Sequence, residues 1–199
     1  MVRLKLSTTS SILTFAECPL LLDDDIMTDQ ELLSRAAAYA AGHNLHLAER
    51  LGFGIHGMVF VAESNLEGGR TPVKAHREEP PFLRELEAYD ILAAEAVTRI
   101  RGFNVPQLIA ADTHLRIVEM SIVTRPFVLD FAGAYLNPPQ FDEDIWANWE
   151  AEKREQFGHQ WPKVQIVLSE LKRFGIHMID VSPSNIAFEA PPPGIKERW

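Results

Sequence analysis

The clearest amphipathic pattern in the chain lies between Pro162 and Gly175, where a proline suited to a helix start and a glycine typical of a helix stop enclose it. Its apolar residues fall on one helical face: Val164, Val167, Leu168 and Leu171. The segment before it has Asp142 as a candidate N-cap and Gly158 as a stop. We therefore predict two consecutive helices in this part of the chain.

Two earlier stretches also have the polar ends and helix-forming interior of α-helices. Thr28 and Glu31 have the spacing of a capping box, and Gly42 ends the run, so a helix is predicted between them. The segment 80–96 opens with two prolines and continues in strong helix formers. A second helix is predicted there.

Apolar and β-branched runs predict strands in the first half of the chain. Segments 58–64 and 71–76 are separated by a glycine-containing turn, and segment 116–132 is rich enough in apolar residues for one or two buried strands. Strands therefore dominate the first half and helices the second. This order predicts an α+β protein of two small lobes, joined near the glycine and prolines of segment 131–139.

The lobes give three predicted regions. Residues 1–47 form an N-terminal extension with one helix, residues 48–133 a strand-rich lobe, and residues 134–199 a short helical lobe. With 199 residues, the chain is long enough for such an arrangement.

Charge and cysteine content narrow the classes of partner. The net charge of −9 argues against a general binder of nucleic acids or anionic membranes, since both select basic surfaces. No apolar run approaches the length of a membrane span, and the N-terminal stretch has apolar segments too short and broken to be expected as a secretory signal. The single cysteine suits a reducing compartment, so we expect a cytoplasmic protein.

Three glycines, Gly52, Gly54 and Gly57, have the spacing of a phosphate-binding loop. That spacing occurs in dinucleotide-binding crossovers, where a helix follows the glycines, and in kinases, where a strand follows them. The sequence after Gly57 has a strand pattern. We therefore predict an antiparallel hairpin with one pair of side chains on each face, Val59 with Val61 and Met58 with Phe60.

A lysine on the next predicted strand is the second candidate. Lys74 is followed by a predicted helix that carries Glu85 and Glu87. A lysine that orients phosphates needs a carboxylate to hold it, and residues two apart on a helix point about 200° apart, so only one glutamate can serve. We predict Glu85, one turn from Tyr89, with Glu87 facing solvent.

The third candidate follows the last predicted helix. Asp180 and Asn185 have the D-x-x-x-x-N spacing of a kinase catalytic loop, with Pro183 between them and an apolar strand afterwards. An aspartate in such a loop can accept the proton of an attacking hydroxyl, and the asparagine can hold a metal ion that bridges the phosphates. Turn residues in a serine- and proline-rich loop are the alternative interpretation.

Together these segments resemble the protein-kinase-like fold, closer to the aminoglycoside- and choline-kinase side than to eukaryotic protein kinases. The resemblance covers about residues 48–190. It implies a two-lobed fold with an antiparallel sheet in the first lobe and a minimal helical second lobe. It also implies ATP and Mg²⁺ as cofactors, an adenine base received by the backbone of segment 118–135, Asp180 as base and Asn185 as metal ligand. The phosphoryl acceptor would be a hydroxyl of a small molecule or protein.

Two departures from that resemblance leave two hypotheses open. Ser182 stands where protein kinases have a lysine and many small-molecule kinases a histidine. No D-F-G follows Asn185; Glu197 is the predicted replacement for its metal-binding aspartate, and Glu189 is a poorer candidate. The retained residues favour a phosphotransferase, whereas the missing motif favours a pseudokinase that serves as a binding or scaffold module.

Overall fold

The computed structural model describes residues 28–66 and 68–189. The predicted metal ligand Glu197 and most of the N-terminal extension lie outside the described residues. The four α-helices among the described residues are Asp29–Gly42 (α1), Glu79–Ala94 (α2), Glu143–Phe157 (α3) and Trp161–Arg173 (α4), and a 3₁₀ helix at Gly158–Gln160 joins the last two. The strands are Leu45–Gly54 (β1), Gly57–Ser64 (β2), Arg70–His76 (β3), Arg99–Ile100 (β4), Phe103–Asn104 (β5), Leu108–Asp112 (β6), Ile117–Met120 (β7), Phe127–Val128 (β8), Ala134–Tyr135 (β9), His177–Met178 (β10) and Ile186–Ala187 (β11).

The chain is a mixed α+β protein built on a five-stranded antiparallel sheet. The strand order is β1-β2-β3-β7-β6, and every neighbouring pair is antiparallel. Gly57 begins β2 rather than a helix, so the predicted hairpin is confirmed and the dinucleotide-type crossover is wrong. The two faces of β2 also divide as predicted, because Met58 and Phe60 pack in the core under α1 whereas Val59 and Val61 line a cleft.

Helix α1 packs on one face of this sheet. It begins with the predicted capping box, in which the Thr28 hydroxyl accepts from the Glu31 backbone and the Glu31 carboxylate accepts from the Thr28 backbone. Its buried side chains, Leu32, Ala36 and Tyr39, share a hydrophobic cluster with β2, β3 and β7. Although the sequence pattern assigns this helix to an N-terminal extension, it forms part of the core of the sheet.

Helix α2 and the two later helices share the larger hydrophobic cluster. The predicted linker contributes to it, since Phe131, Ala132 and Ala134 are buried and β9 pairs with β10. This cluster also takes in the apolar face of α4, and the buried residues there are the four that the spacing predicts, with Trp161 added. Residues on both sides of position 133 therefore share one core.

Helix α3 begins and ends where the sequence predicts, but the predicted N-cap hydrogen bond is not formed. Asp142 occupies the N-cap position without a side-chain cap hydrogen bond, and Gly158 is the C-cap with a positive φ of 52°. None of the described helices is long and apolar enough to cross a membrane.

A four-stranded sheet, separate from the main sheet, determines where the candidate site residues meet. Its order is β11-β8-β5-β4, and β8 runs antiparallel to β11. The backbone amide of Leu129 donates to the carbonyl of Asn185 at 2.9 Å. The end of β8 and the start of β11 are thereby held side by side, although they are far apart in sequence.

Candidate functional site

A cleft of about 510 Å³ opens on the face of the main sheet opposite α1. Its walls are mostly apolar, although Glu49, Arg70 and Ser121 also line it, and a cluster of polar side chains around Lys74 forms its polar end. The apolar lining comes from Leu51, Val59, Val61, Pro72, Pro106, Met120, Ile122, Val123, Phe127 and Leu129. The polar end has Lys74, Glu85, Asp130 and Ser184.

The centre of the polar end is the predicted pair of Lys74 and Glu85. Lys74 Nζ lies 2.6 Å from Glu85 Oε2, and both side chains are almost completely buried. Glu87 is exposed on the other face of α2, so the assignment of Glu85 as the partner is confirmed. β3 supplies the lysine and α2 the carboxylate, and the two elements meet because their apolar residues pack in the adjoining cores.

A buried histidine, not predicted from the sequence, completes this cluster. His76 is fully buried two residues after Lys74, and its Nε2 lies 3.0 Å from the same Glu85 oxygen. Among the described residues, neither oxygen of Glu85 and neither ring nitrogen of His76 has a hydrogen bond of regular geometry. These short contacts are therefore mainly electrostatic, and the charge of Lys74 keeps Glu85 ionised.

The charge states of the cluster follow from burial and mutual attraction. Burial alone would raise the pKa of Glu85, but the Lys74 charge and the nearby imidazole outweigh it and lower the pKa to about 2. Burial would lower the pKa of Lys74, yet Glu85 and Asp130 raise it above its ordinary value. Burial lowers the pKa of His76, so that the imidazole is neutral at physiological pH. The cleft therefore presents a charged ammonium.

Asp130 is a site residue that the sequence pattern did not indicate. Its Oδ1 accepts a hydrogen bond from Lys74 Nζ at 2.7 Å, and about a third of its side chain (34%) is exposed. The neighbouring Phe131 is fully buried and packs edge-on against Tyr89 of α2. The sequence signal that could have indicated it is the segment Asp-Phe-Ala-Gly at 130–133, which precedes Asn185 in the chain, whereas the D-F-G of kinases follows the catalytic loop.

The predicted catalytic-type loop lies next to Asp130. Asn185 is buried, its Nδ2 donates to the Asp180 carbonyl at 3.0 Å, and its Oδ1 accepts from the hydroxyls of Ser182 and Ser184. The Asp180 side chain is exposed and lies against Gly133, where an added Cβ would come within 2.9 Å of the Asp180 Cβ. The structure thus brings Asp180 and Asn185 into one loop beside the polar end of the cleft.

The glycines occupy a tight hairpin rather than an open loop. Gly52 and Gly54 lie in β1, Gly57 begins β2, and of the three only Gly52 lines the cleft. A Cβ at Gly57 would lie 2.0 Å from a carbonyl oxygen of β3, so a side chain cannot fit there. The carbonyl of His56, at the hairpin tip, accepts from the Arg77 amide at 3.0 Å, which holds the tip over the end of β3.

The segment that the resemblance assigns to base recognition forms the rim of the cleft. The Ser121 amide donates to Gln107 and the Thr124 carbonyl accepts from Asn104. Between them, Ile122 and Val123 both line the cleft. Within residues 28–66 and 68–189, no backbone–backbone hydrogen bond is formed by either of these two residues. Their amides and carbonyls are backbone groups that a ligand in the cleft could reach.

Other features of the described chain do not compete with this cleft. A larger cavity of about 770 Å³ is lined by residues that include Arg101, Lys163 and Phe188. No buried ion pair like that of Lys74 and Glu85 is found among its described lining residues. The described residues contain no group of three or more histidine, cysteine, aspartate or glutamate side chains that could hold a metal ion by itself.

No protein-family profile matches this sequence, and no curated protein matches it significantly.

Proposed function

We propose that this protein binds a nucleoside triphosphate, ATP in the first instance, in the 510 Å³ cleft and transfers its terminal phosphoryl group to a hydroxyl. The observation that carries the proposal is the buried ion pair of Lys74 and Glu85 at the end of an apolar cleft. A buried lysine held by one carboxylate provides a fixed positive charge, which suits a phosphate group.

The apolar part of the cleft suits a purine. Val61 and Met120 come from the sheet, and Phe127 from β8, so a flat ring could contact side chains from both walls. The backbone of Ile122 and Val123 supplies amide and carbonyl groups at the rim, which are the groups that recognise a base edge without a specific side chain.

The polar end suits the phosphates. Lys74 donates to phosphate oxygens, Glu85 holds the ammonium in position, and the backbone of the hairpin near Gly52 approaches the phosphates where side chains would obstruct it. In this proposal the glycines act through the closeness of the backbone, and Gly57 through the packing of the hairpin on β3.

Transfer requires a base and a cation ligand on the other side of the phosphates. Asp180 is exposed and can accept the proton of an attacking hydroxyl, from a small molecule or a protein side chain. The amide oxygen of Asn185 and the carboxylate of Asp130 are oxygen ligands, the type that Mg²⁺ prefers. When bound with the nucleotide, Mg²⁺ neutralises charge on the phosphates.

A pseudokinase is the second candidate, because one observation favours it. The Asn185 amide oxygen already accepts from two hydroxyls, those of Ser182 and Ser184, at 2.7 and 3.0 Å. If those hydrogen bonds persist with a nucleotide bound, the cleft would hold the nucleotide without transferring its phosphate.

A thermal-shift titration tests nucleotide binding. ATP should raise the melting temperature of the wild type by mass action, and Lys74→Met should abolish the shift. Lys163→Met, an exposed lysine at the other cavity, is the matched control and should leave the shift unchanged. Equal shifts in the wild type and Lys74→Met would refute the phosphate role of Lys74.

Turnover separates the two candidate functions. ATP hydrolysis or transfer by the wild type, lost in Asp180→Asn with the ATP-induced thermal shift retained, supports phosphoryl transfer. A thermal shift without turnover against a broad panel of hydroxyl acceptors supports the pseudokinase. No shift at saturating ATP, with or without Mg²⁺, contradicts both.

A further inference from the structure

Asp130 has an unusual backbone conformation. Its φ is 66°, in the left-handed region that few residues other than glycine adopt, although aspartate and asparagine tolerate it better than most. It lies between β8, whose partner strand begins after Asn185, and the buried Phe131. The residue is therefore held at a fixed place by packing on both sides, which is where a strained backbone conformation is most often functional.

Three independent contacts hold segment 129–133 beside Lys74 and the catalytic-type loop. Its Oδ1 is bonded to Lys74 Nζ at 2.7 Å. The next residue back, Leu129, donates its amide to the Asn185 carbonyl at 2.9 Å. Three residues on, Gly133 lies against Asp180. The segment 129–133 thus lies beside both ends of the catalytic-type loop.

We propose that Asp130 is the carboxylate ligand of a nucleotide-bound divalent cation, acting with the amide oxygen of Asn185 once the Ser182 and Ser184 hydroxyls turn away from that oxygen. This inference rests on the proposed nucleotide site and names its cation ligand. The chain would then supply that carboxylate from a segment before the catalytic-type loop, and Glu197 would not be needed.

The donor set fits a cation that arrives with phosphates and not one bound by protein alone. One carboxylate and one amide oxygen are too few for a protein-only site, and the described residues contain no group of three or more histidine, cysteine, aspartate or glutamate side chains arranged to hold a metal ion. Mg²⁺ is commonly bound through one or two carboxylates together with substrate phosphates and water. Without nucleotide, Lys74 satisfies Asp130; with nucleotide, the lysine has phosphate oxygens to bind and the carboxylate is released to the cation.

The test is the metal dependence of nucleotide affinity, measured by isothermal titration calorimetry with adenylyl imidodiphosphate in Mg²⁺ or in EDTA. The Mg²⁺ enhancement of the wild type should fall by at least about tenfold in Asp130→Asn, the lower end of what even outer ligand partners contribute to metal affinity. Metal-free affinity should stay equal or rise, since one negative charge near the phosphates is removed. Asp90→Asn, an exposed aspartate on α2, is the matched control and should behave as the wild type.

The variants are chosen to fold. Asparagine suits a positive φ at least as well as aspartate, and Asp130→Gly is a second variant that removes the carboxylate without backbone strain. Lys74 keeps Glu85 as its partner in both. Circular dichroism and melting temperature without ligand confirm that each variant is folded before titration.

The possible outcomes distinguish failure of the cation role of Asp130 from failure of the nucleotide site. An unchanged Mg²⁺ enhancement in both variants refutes Asp130 as the ligand and leaves the proposed nucleotide site standing. An equal loss of affinity in Mg²⁺ and in EDTA shows that Asp130 only positions Lys74, which also refutes the inference. Failure of the wild type to bind the analogue under either condition refutes the proposed function itself.

Discussion

Replacing Glu85 by glutamine should destabilise the protein by about 3 kcal/mol, because it leaves a buried ammonium without its closest countercharge. Lys74 is only 5% exposed, and Glu85 Oε2 lies 2.6 Å from its Nζ. Removing one partner of a buried pair typically costs about 3–5 kcal/mol. Asp130 still faces the lysine at 2.7 Å and is partly exposed, which places the expected cost at the lower end.

The lowered pKa of Glu85 gives a second estimate of this destabilisation, of the same magnitude. The pKa of Glu85 falls from its ordinary value of 4.5 to about 2. That fall corresponds to about 3 kcal/mol of preference for the ionised carboxylate in the folded state. In a protein of this size, the melting temperature should drop by about 6–12 °C.

The assay is urea denaturation followed by circular dichroism, with two comparison variants. Glu87→Gln changes the same residue type on the exposed face of α2 and should alter the free energy of unfolding by less than about 0.5 kcal/mol. The double variant Lys74→Met, Glu85→Leu removes both charges and should recover most of the loss, since apolar replacement of a buried pair is often close to neutral. Equal costs for Glu85→Gln and Glu87→Gln would refute the reasoning.

Three further predictions concern the pH dependence of the Glu85 contact, the packing at Gly57 and the hydrogen bond of Tyr39. Because the folded-state pKa of Glu85 is lowered, its stabilisation is present above pH 4.5 and is lost as the pH falls toward about 2; urea midpoints measured over that range should fall more steeply in the wild type than in Glu85→Gln. Gly57→Ala should destabilise by about 3 kcal/mol, since its Cβ would lie 2.0 Å from a strand carbonyl, whereas Gly54→Ala, with nothing within 4 Å, should change the urea midpoint little. Tyr39→Phe removes the hydroxyl that donates to buried Glu119 at 2.7 Å and should cost about 1–3 kcal/mol by the same assay; no measurable loss would show that this hydrogen bond adds nothing to stability.

Local sequence signals predicted most of the secondary structure. Capping residues, prolines at helix starts and glycines at helix ends marked all four described helices, because these residues act on the first and last turns regardless of the rest of the fold. The two faces of β2 could also be predicted, since alternation along a strand is a local property.

Helix geometry similarly selected Glu85 over Glu87. The two residues point to different faces of α2, and only the face with Tyr89 and the other buried residues could reach Lys74. The pairing of Lys74 with Glu85 was therefore predictable once β3 and α2 were identified.

Pairings between distant segments decided the rest. The position of α1 on the sheet depends on which apolar faces meet, and no local pattern states this. For the same reason, the buried state of His76 and the packing of segment 131–134 were not predicted.

The position of Asp130 shows this limit most directly. By chain order, the sequence alone predicts the second carboxylate among the residues after Asn185. Only the antiparallel pairing of β8 with β11 brings Asp130 beside that asparagine and within 2.7 Å of Lys74. Strand pairing is decided by the free energy of packing the whole core, so the sequence determined the elements and their individual chemistry, and the tertiary structure determined which of those groups share one cleft.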